Sequence, residues 1–257
     1  MNAPTHTCAD GSANRRAGPD TGNGEMPDMR NIRERFAEQI DDVQGKLTEL
    51  ASFVTEMLAL SMQALVNQDE KLADQVIHMD DVADDLDLEI EQACMRLLAL
   101  QQPMAKDLRI ISTAMKISGD YERVGDYSVD IARSAGALAS EPYFKPLVDI
   151  PRMAEITQGM VRNSVEAFVN HDLELVHKVV AQDDEVDRMW YMLLDELIGL
   201  MEQDPKIIRQ ATHLLLVARY LERVADHVVN VAERVSYMET GRFEDLVLSH
   251  SSDYRRP

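Results

Sequence analysis

The stretch Gly119-Asp-Tyr-Glu-Arg-Val-Gly-Asp126 recurs one hundred residues later as Arg219-Tyr-Leu-Glu-Arg-Val-Ala-Asp226. The surrounding windows, 106–132 and 206–232, also align at this offset of 100 residues. Amphipathic helices share many Leu and Ala residues by composition alone, but composition does not easily produce Glu-Arg-Val-x-Asp twice. We therefore interpret the two stretches as copies of one structural unit.

A second pair of windows, 64–84 and 167–187, extends the duplication towards the N-terminus at an offset of 103 residues. The windows share nine residues, among them Asp80 with Asp183 and Asp84 with Asp187. The offset changes between Leu97 and Lys106, where a turn is predicted, so a deletion in a loop explains the change. The duplication therefore covers most of the chain.

Apolar residues recur in steps of four and three along the whole repeated region, as Phe36, Ile40, Val43 and Leu47 show. This period predicts helices with one apolar face, and Pro103 and Pro205 mark breaks between them. The predicted fold is all-α, a tandem pseudo-symmetric repeat of two three-helix bundles with six long helices. The predicted units are a disordered arm (1–28), a first repeat (29–137), a linker (138–150), a second repeat (151–239) and a flexible tail (240–257).

The composition excludes several classes of protein. Hydrophobic residues make up 45% of the 257 residues, which is enough for a core, while 11 Gly, 9 Pro and 5% aromatic residues are few for a sheet-rich fold. The net charge of −20 disfavours binding to nucleic acid or to anionic lipid. Cys8 and Cys94 form no paired motif, so a disulfide framework or structural zinc site is not expected. We find no apolar run of roughly 18 residues and no targeting segment, and we expect a cytoplasmic protein without membrane insertion.

Four pairs of carboxylates, spaced four residues apart, occupy matching positions in the two repeats. Residues at this spacing share a helix face, and neighbouring antiparallel helices could bring two pairs together. Four carboxylates would suit a divalent or trivalent metal ion, or a small cluster of ions, although solvated acidic faces are the common alternative. The candidate metal ligands are Asp80, Asp84, Glu122 and Asp126 in the first repeat, and Asp183, Asp187, Glu222 and Asp226 in the second.

The basic residues beside these carboxylates have two interpretations. Arg123 and Arg223 either form ion pairs with carboxylates of a neighbouring helix or orient metal ligands. His227 is matched by Tyr127 in the first repeat, which favours a structural role or that of an auxiliary ligand. Helical di-iron enzymes need Glu-x-x-His on two helices, and the motif occurs once, at Glu174 and His177.

Two three-helix repeats, each with an acidic pair on its second helix and Glu-Arg-Val-x-Asp on its third, resemble the PhoU family. The resemblance covers about residues 30–240. It implies a non-enzymatic negative regulator of phosphate uptake and of phosphate-starvation (Pho regulon) signalling. The implied partners are the ATPase subunit of the phosphate ABC transporter, a PhoR-type sensor histidine kinase and a second copy of the chain. The implied cofactor is multinuclear iron at the eight acidic positions, with Mn, Mg, Ca and Zn also open.

Three rival functions remain on the sequence alone. A regulator of a different phosphate transporter would show no association with a kinase. A metal-dependent helical-bundle enzyme would need an open coordination position and turnover, and the missing second Glu-x-x-His motif counts against it. A metal-free helical scaffold would contain no metal when purified without chelators.

Overall fold

The computed structural model describes residues 29–244 and residue 246, and side chains from residue 33 onwards. The predicted arm at 1–28 and most of the predicted tail at 240–257 lie outside this part. Over the described residues the chain forms six long helices and no strand, which confirms the predicted fold. The helices are α1 (Met29–Asn67), α2 (Glu70–Gln101), α3 (Lys106–Leu138), α4 (Asp149–Asn170), α5 (Leu173–Gln203) and α6 (Ile208–Thr240).

The turn between the first two helices is built twice in the same way. The Asp69 carboxylate accepts hydrogen bonds from the backbone N–H groups of residues 71 and 72, and Asp172 does the same for residues 174 and 175. Each aspartate caps the amide groups that a helix start leaves unpaired. The preceding residues, Gln68 and His171, have positive φ angles of 54° and 57°. The duplicated sequence therefore produces a duplicated backbone turn.

The second and third helices of each repeat are joined differently. In the first repeat Gln102 and Ala105 flank Pro103 and both have positive φ angles, of 47° and 50°. In the second repeat the Asp204 carboxylate accepts from the backbone N–H of residue 206, and Pro205 opens a 3-10 turn at Pro205–Ile207. The α-helix thus starts at Ile208, three residues after Pro205, because this turn precedes it.

One hydrophobic core runs through both repeats. The centre is formed by α3 against α6, and α1 packs against α4 beside it. A buried hydrogen bond of 2.9 Å joins the Tyr121 hydroxyl to Ser164 Oγ across the repeats. Corresponding α1 and α4 positions are buried, for example Leu47 with Ile150 and Leu50 with Met153. The two bundles therefore stabilise each other through apolar burial.

One helix, α1, contains a long apolar window. Residues Arg33–Asn67 of α1 are long and apolar enough to cross a membrane by length and composition alone. This test averages hydropathy over a window of 18 residues, whereas the sequence prediction concerned an uninterrupted apolar run. Half of the most apolar window is buried against other helices, and core helices of soluble proteins also pass the test.

Candidate functional site

The structure places the candidate ligands on facing helices in each repeat. The first acidic cluster lies between α2 and α3, which pack together, and the second lies between α5 and α6. We define the first acidic cluster as Asp80, Asp84, Glu122 and Asp126, and the second acidic cluster as Asp183, Asp187, Glu222 and Asp226. Residues four apart lie one turn apart on the same helix face, so each helix contributes one pair of carboxylates.

Carboxylates of the first acidic cluster are close enough to disfavour one another's ionisation. Burial raises the pKa of Asp80, and the charges of Asp126 and Asp84 raise it further. Burial is the largest cause that raises the pKa of Asp84, and the charge of Asp126 is the next. The same two causes raise the pKa of Glu122. A cation between the two helices would relieve this repulsion.

The second acidic cluster is more deeply buried. Asp183 and Glu222 are each 7% exposed. Burial, followed by the charges of Asp187 and Asp226, raises the pKa of Asp183 to about 8. Burial, followed by the charge of Asp226, raises the pKa of Glu222 to about 7. One oxygen of each, Asp183 Oδ1 and Glu222 Oε2, is buried without a hydrogen-bond partner. Such orphaned oxygens are costly unless a proton or a cation satisfies them.

An arginine and a tryptophan distinguish the second acidic cluster from the first. The Arg219 guanidinium forms an ion pair with Glu222 and lies 5.6 Å from the centre of the Trp190 ring. At the offset of 100 residues, Gly119 of the first repeat corresponds to Arg219. At the offset of 103 residues, Asp87 corresponds to Trp190. The first cluster therefore has no counterpart of the Arg219 ion pair, and the repeated motif gives no sign of this difference.

The arginines of the repeated motif pair within their own helix. Arg123 Nη1 lies 2.5 Å from Asp126 Oδ2, and Arg223 Nη1 lies 3.3 Å from Asp226 Oδ2. The expectation of ion pairs with a neighbouring helix is therefore wrong. The spacing of three residues places each arginine directly above the aspartate that follows it, so the short intrahelical contact is favoured.

His227 takes part in the contact between the repeats. Its Nδ1 donates to Asp120 Oδ1 at 2.9 Å, and its ring lies 5.8 Å from the ring of Tyr127. Both contacts join α6 to α3. These contacts give His227 a structural role between the two repeats.

The donor atoms of both clusters fit a hard cation, but the side chains are not arranged around one. Among the described residues, no three Asp, Glu, His or Cys side chains form a group that could hold a metal ion as placed. The ligands are all carboxylate oxygens, which hard cations prefer, and two of these oxygens are orphaned. Metal binding at the eight positions stays a prediction, and it requires the carboxylates to draw together.

Fold and site together define a class of protein, an all-helical tandem repeat with one acidic cluster in each repeat. The family model of the PhoU domain matches this chain twice, at residues 47–135 and 150–235. The chain belongs to the PhoU family.

Two curated relatives agree with this assignment over most of their length. The chain is 36% identical over 215 residues to a "Phosphate-specific transport system accessory protein PhoU homolog" from Clostridium acetobutylicum, covering 83% of this chain and 98% of that protein. It is 41% identical over 207 residues to a protein of the same description from Aquifex aeolicus, covering 80% and 94%.

Solved structures of the family share the architecture. The crystal structure of PhoU from Pseudomonas aeruginosa has a TM-score of 0.78 and 33% identity, covering 80% of this chain and all of that chain (100%). The PhoU structure from Streptococcus pneumoniae has a TM-score of 0.77 and 29% identity, covering 82% and 100%. The six-helix arrangement is therefore a fold that crystallography has found in relatives.

Proposed function

We propose that this protein is a non-enzymatic negative regulator of phosphate uptake and of Pho regulon signalling. It acts in the cytoplasm, as a homodimer, as an adaptor between the ATPase subunit of the phosphate ABC transporter and a PhoR-type sensor histidine kinase. The observation that carries the proposal is the double PhoU-domain match, together with relatives named as accessory proteins of phosphate-specific transport.

The acidic clusters would give this adaptor its metal dependence. Asp80, Asp84, Glu122 and Asp126 would hold metal in the first repeat, and Asp183, Asp187, Glu222 and Asp226 in the second. A bound cation supplies positive charge that offsets the repulsion among the carboxylates. With a cation bound, each cluster would link two packed helices and keep their faces in register, because its carboxylates come from both helices.

Binding to the two partners tests the adaptor directly. The chain, the transporter ATPase subunit and the kinase cytoplasmic region are purified, and pairwise binding is measured with and without added Mn²⁺ or Fe²⁺. We expect binding to both partners in the wild type. The isosteric variant Glu222→Gln with Asp226→Asn is expected to bind at least about tenfold more weakly, a loss of about 1.4 kcal/mol.

A matched control removes two carboxylates elsewhere on the second repeat. Asp195→Asn with Glu202→Gln changes two exposed side chains of α5 and lowers the negative charge by the same amount. We expect this control to bind both partners normally. Unchanged binding in the cluster variant, or no binding by the wild type to either partner, contradicts the proposal.

A metal-free regulator of the same transport system is the second candidate. It is favoured by one observation, that no group of side chains in the described part of the chain is arranged to hold a metal ion. In this version the arginines, such as Arg219 beside Glu222, provide the positive charge. Partner binding that is the same before and after chelator treatment would distinguish it from the metal-dependent adaptor.

A further inference from the structure

An open apolar groove runs between α1 and α2, and no residue of either acidic cluster lines it. Its floor consists of half-buried side chains, and Val82 at its edge is 47% exposed. The groove has a volume of about 650 Å³. Its apolar lining residues are Phe53, Leu60, Leu72, Met79 and Val82.

The second repeat closes the same position with polar side chains. At the offset of 103 residues, Leu60 corresponds to Asn163 and Met79 corresponds to Gln182. Asn163 Nδ2 donates to Gln182 Oε1 at 3.0 Å, which links α4 to α5 across the position of the groove. The fold therefore does not require an apolar surface here, because its own duplicate satisfies the position with a hydrogen bond.

The edge of the groove is likewise apolar in the first repeat and polar in the second. Val82 corresponds to Glu185, whose carboxylate accepts from Arg152 at 2.8 Å. The second repeat thus covers its α4–α5 seam with an ion pair and an amide pair. The first repeat instead has half-buried Leu60 and Met79 at the place of the amide pair and the exposed Val82 at the place of the ion pair. Open apolar surface of this kind is typical of an interaction site.

Acidic side chains border the groove on both helices. Glu56 on α1 and Asp74 on α2 line it, and Asp81 and Asp85 are exposed on the outer face of α2. The lining also includes Lys71 and His78. With a net charge of −20 for the whole chain, these edges attract basic groups and repel acidic ones.

We propose that the α1–α2 groove docks an amphipathic helix of a partner protein, one with an apolar stripe bordered by Lys and Arg. Phe53 to Leu60 spans two helical turns, about 10 Å, and Leu72 to Val82 spans about 15 Å. An occupant of three to four turns with apolar residues at i, i+3, i+4 and i+7 matches this length. The inference goes beyond the proposed regulator function and does not rest on it.

Charge also distinguishes this occupant from two others. A symmetric contact between two copies of the chain would place acidic edges against acidic edges, which costs energy. An anionic lipid surface meets the same repulsion. A basic amphipathic helix alone satisfies both the apolar floor and the acidic edges.

Peptide binding tests the proposal on the full chain. The probe is a fluorescein-labelled peptide of about 18 residues with Leu at helical stripe positions and Lys elsewhere, and its dissociation constant is measured by fluorescence anisotropy in chelator. The variant Leu60→Asn with Met79→Gln copies the second repeat into the first. We expect it to bind the peptide about tenfold or more weakly than the wild type does.

Two controls isolate the groove from general charge attraction. A peptide with Glu in place of Lys is expected to bind the wild type at least about tenfold more weakly than the Lys peptide. The reciprocal variant, Asn163→Leu with Gln182→Met, opens the matching seam and is expected to bind a second peptide. Circular dichroism confirms that each variant keeps its helices.

Several results would overturn the proposal. Equal peptide affinity in the wild type and in Leu60→Asn with Met79→Gln, or equal affinity for the two peptides, shows that the groove is not the binding surface. A change from dimer to monomer in that variant, without a change in peptide binding, assigns the groove to a second copy. Tighter peptide binding after removal of residues 1–28 assigns it to the chain's own arm. None of these measurements involves metal, the transporter or the kinase, so this proposal and the regulator function fail separately.

Discussion

His227 Nδ1 lies 2.9 Å from Asp120 Oδ1, and the duplication relates this contact between α6 and α3 to a second contact between the same helices. At the offset of 100 residues, Asp120 corresponds to Tyr220 and Tyr127 corresponds to His227. Tyr127 and Tyr220 indeed contact each other, with ring centres 6.0 Å apart. The pseudo-symmetry axis therefore passes between α3 and α6, with a polar pair on one side and an aromatic pair on the other.

Removing the polar pair should weaken the contact between the repeats. In Asp120→Ala, His227 loses its partner at a partly buried position, and we expect the free energy of unfolding to fall by about 1 kcal/mol. The midpoint of thermal denaturation should fall by roughly 2–4 °C for a domain of this size. Lys116→Ala, on an exposed turn of the same helix, should change neither quantity. An unchanged midpoint in Asp120→Ala would contradict the role given to this pair.

The duplication and the helix period made most of the fold predictable. The four-three spacing of apolar residues depends on helix geometry alone, and the positions it marks, such as Leu47 and Leu50, are buried. The packing of α3 on α6 and of α1 on α4 was not predictable, because the apolar stripe of one helix does not specify which other helix it packs against. The repeated Asp69 and Asp172 are the sequence signal from which the duplicated helix caps could have been predicted.

The candidate site was predictable as a pattern and not in its details. The offset identified matching carboxylates, since a duplication carries residue types from one repeat to the other. It could not predict that Arg219 pairs with Glu222, because the first repeat has Gly119 there. The duplication also did not predict that Arg123 contacts Asp126 within the same helix, because this contact depends on a side-chain rotamer.

The two helix caps should contribute equally to stability, since their geometry is the same. Asp69→Ala and Asp172→Ala should each lower the free energy of unfolding by about 1 kcal/mol, measured by urea denaturation. Asn is an equally good cap, so Asp172→Asn should retain nearly all of the stability. Equal losses in Asp172→Asn and Asp172→Ala would show that the capping hydrogen bonds are not the cause.

The buried carboxyls predict how stability depends on pH in the absence of metal. The pKa of Asp183 is about 8 in the folded protein against an ordinary 3.8, so the folded state binds protons more tightly than the unfolded state does. The free energy of unfolding should therefore decrease as pH rises from about 4 to about 8, and Glu222 acts in the same direction.

Thermal denaturation in chelator checks this pH dependence. We expect the wild-type midpoint to fall by roughly 5 °C or more between about pH 5.5 and pH 8.5. Asp183→Asn with Glu222→Gln should show a smaller decrease, since both variant side chains are uncharged throughout. A wild-type midpoint that rises over this range would contradict the raised pKa of these two buried carboxyls.

Arg219 should stabilise the second acidic cluster when no metal is bound. Arg219→Ala removes the ion pair with the buried Glu222 and the contact with Trp190, so we expect a loss of about 1–3 kcal/mol. Arg133→Ala removes an exposed pair with Asp130 and should cost less than about 1 kcal/mol. Equal losses in the two variants would show that Arg219 is an ordinary surface arginine.

The central claim is that the duplicated carboxylate sets bind cations. The metal content of the purified protein tests this claim most directly. Protein purified without chelators is analysed by inductively coupled plasma mass spectrometry, alongside Glu122→Gln with Asp126→Asn, Glu222→Gln with Asp226→Asn, and the combined fourfold variant. The account predicts bound metal in the wild type, partial loss in each double variant and complete loss in the fourfold variant. A wild type without metal, or a fourfold variant that retains the wild-type amount, would contradict it.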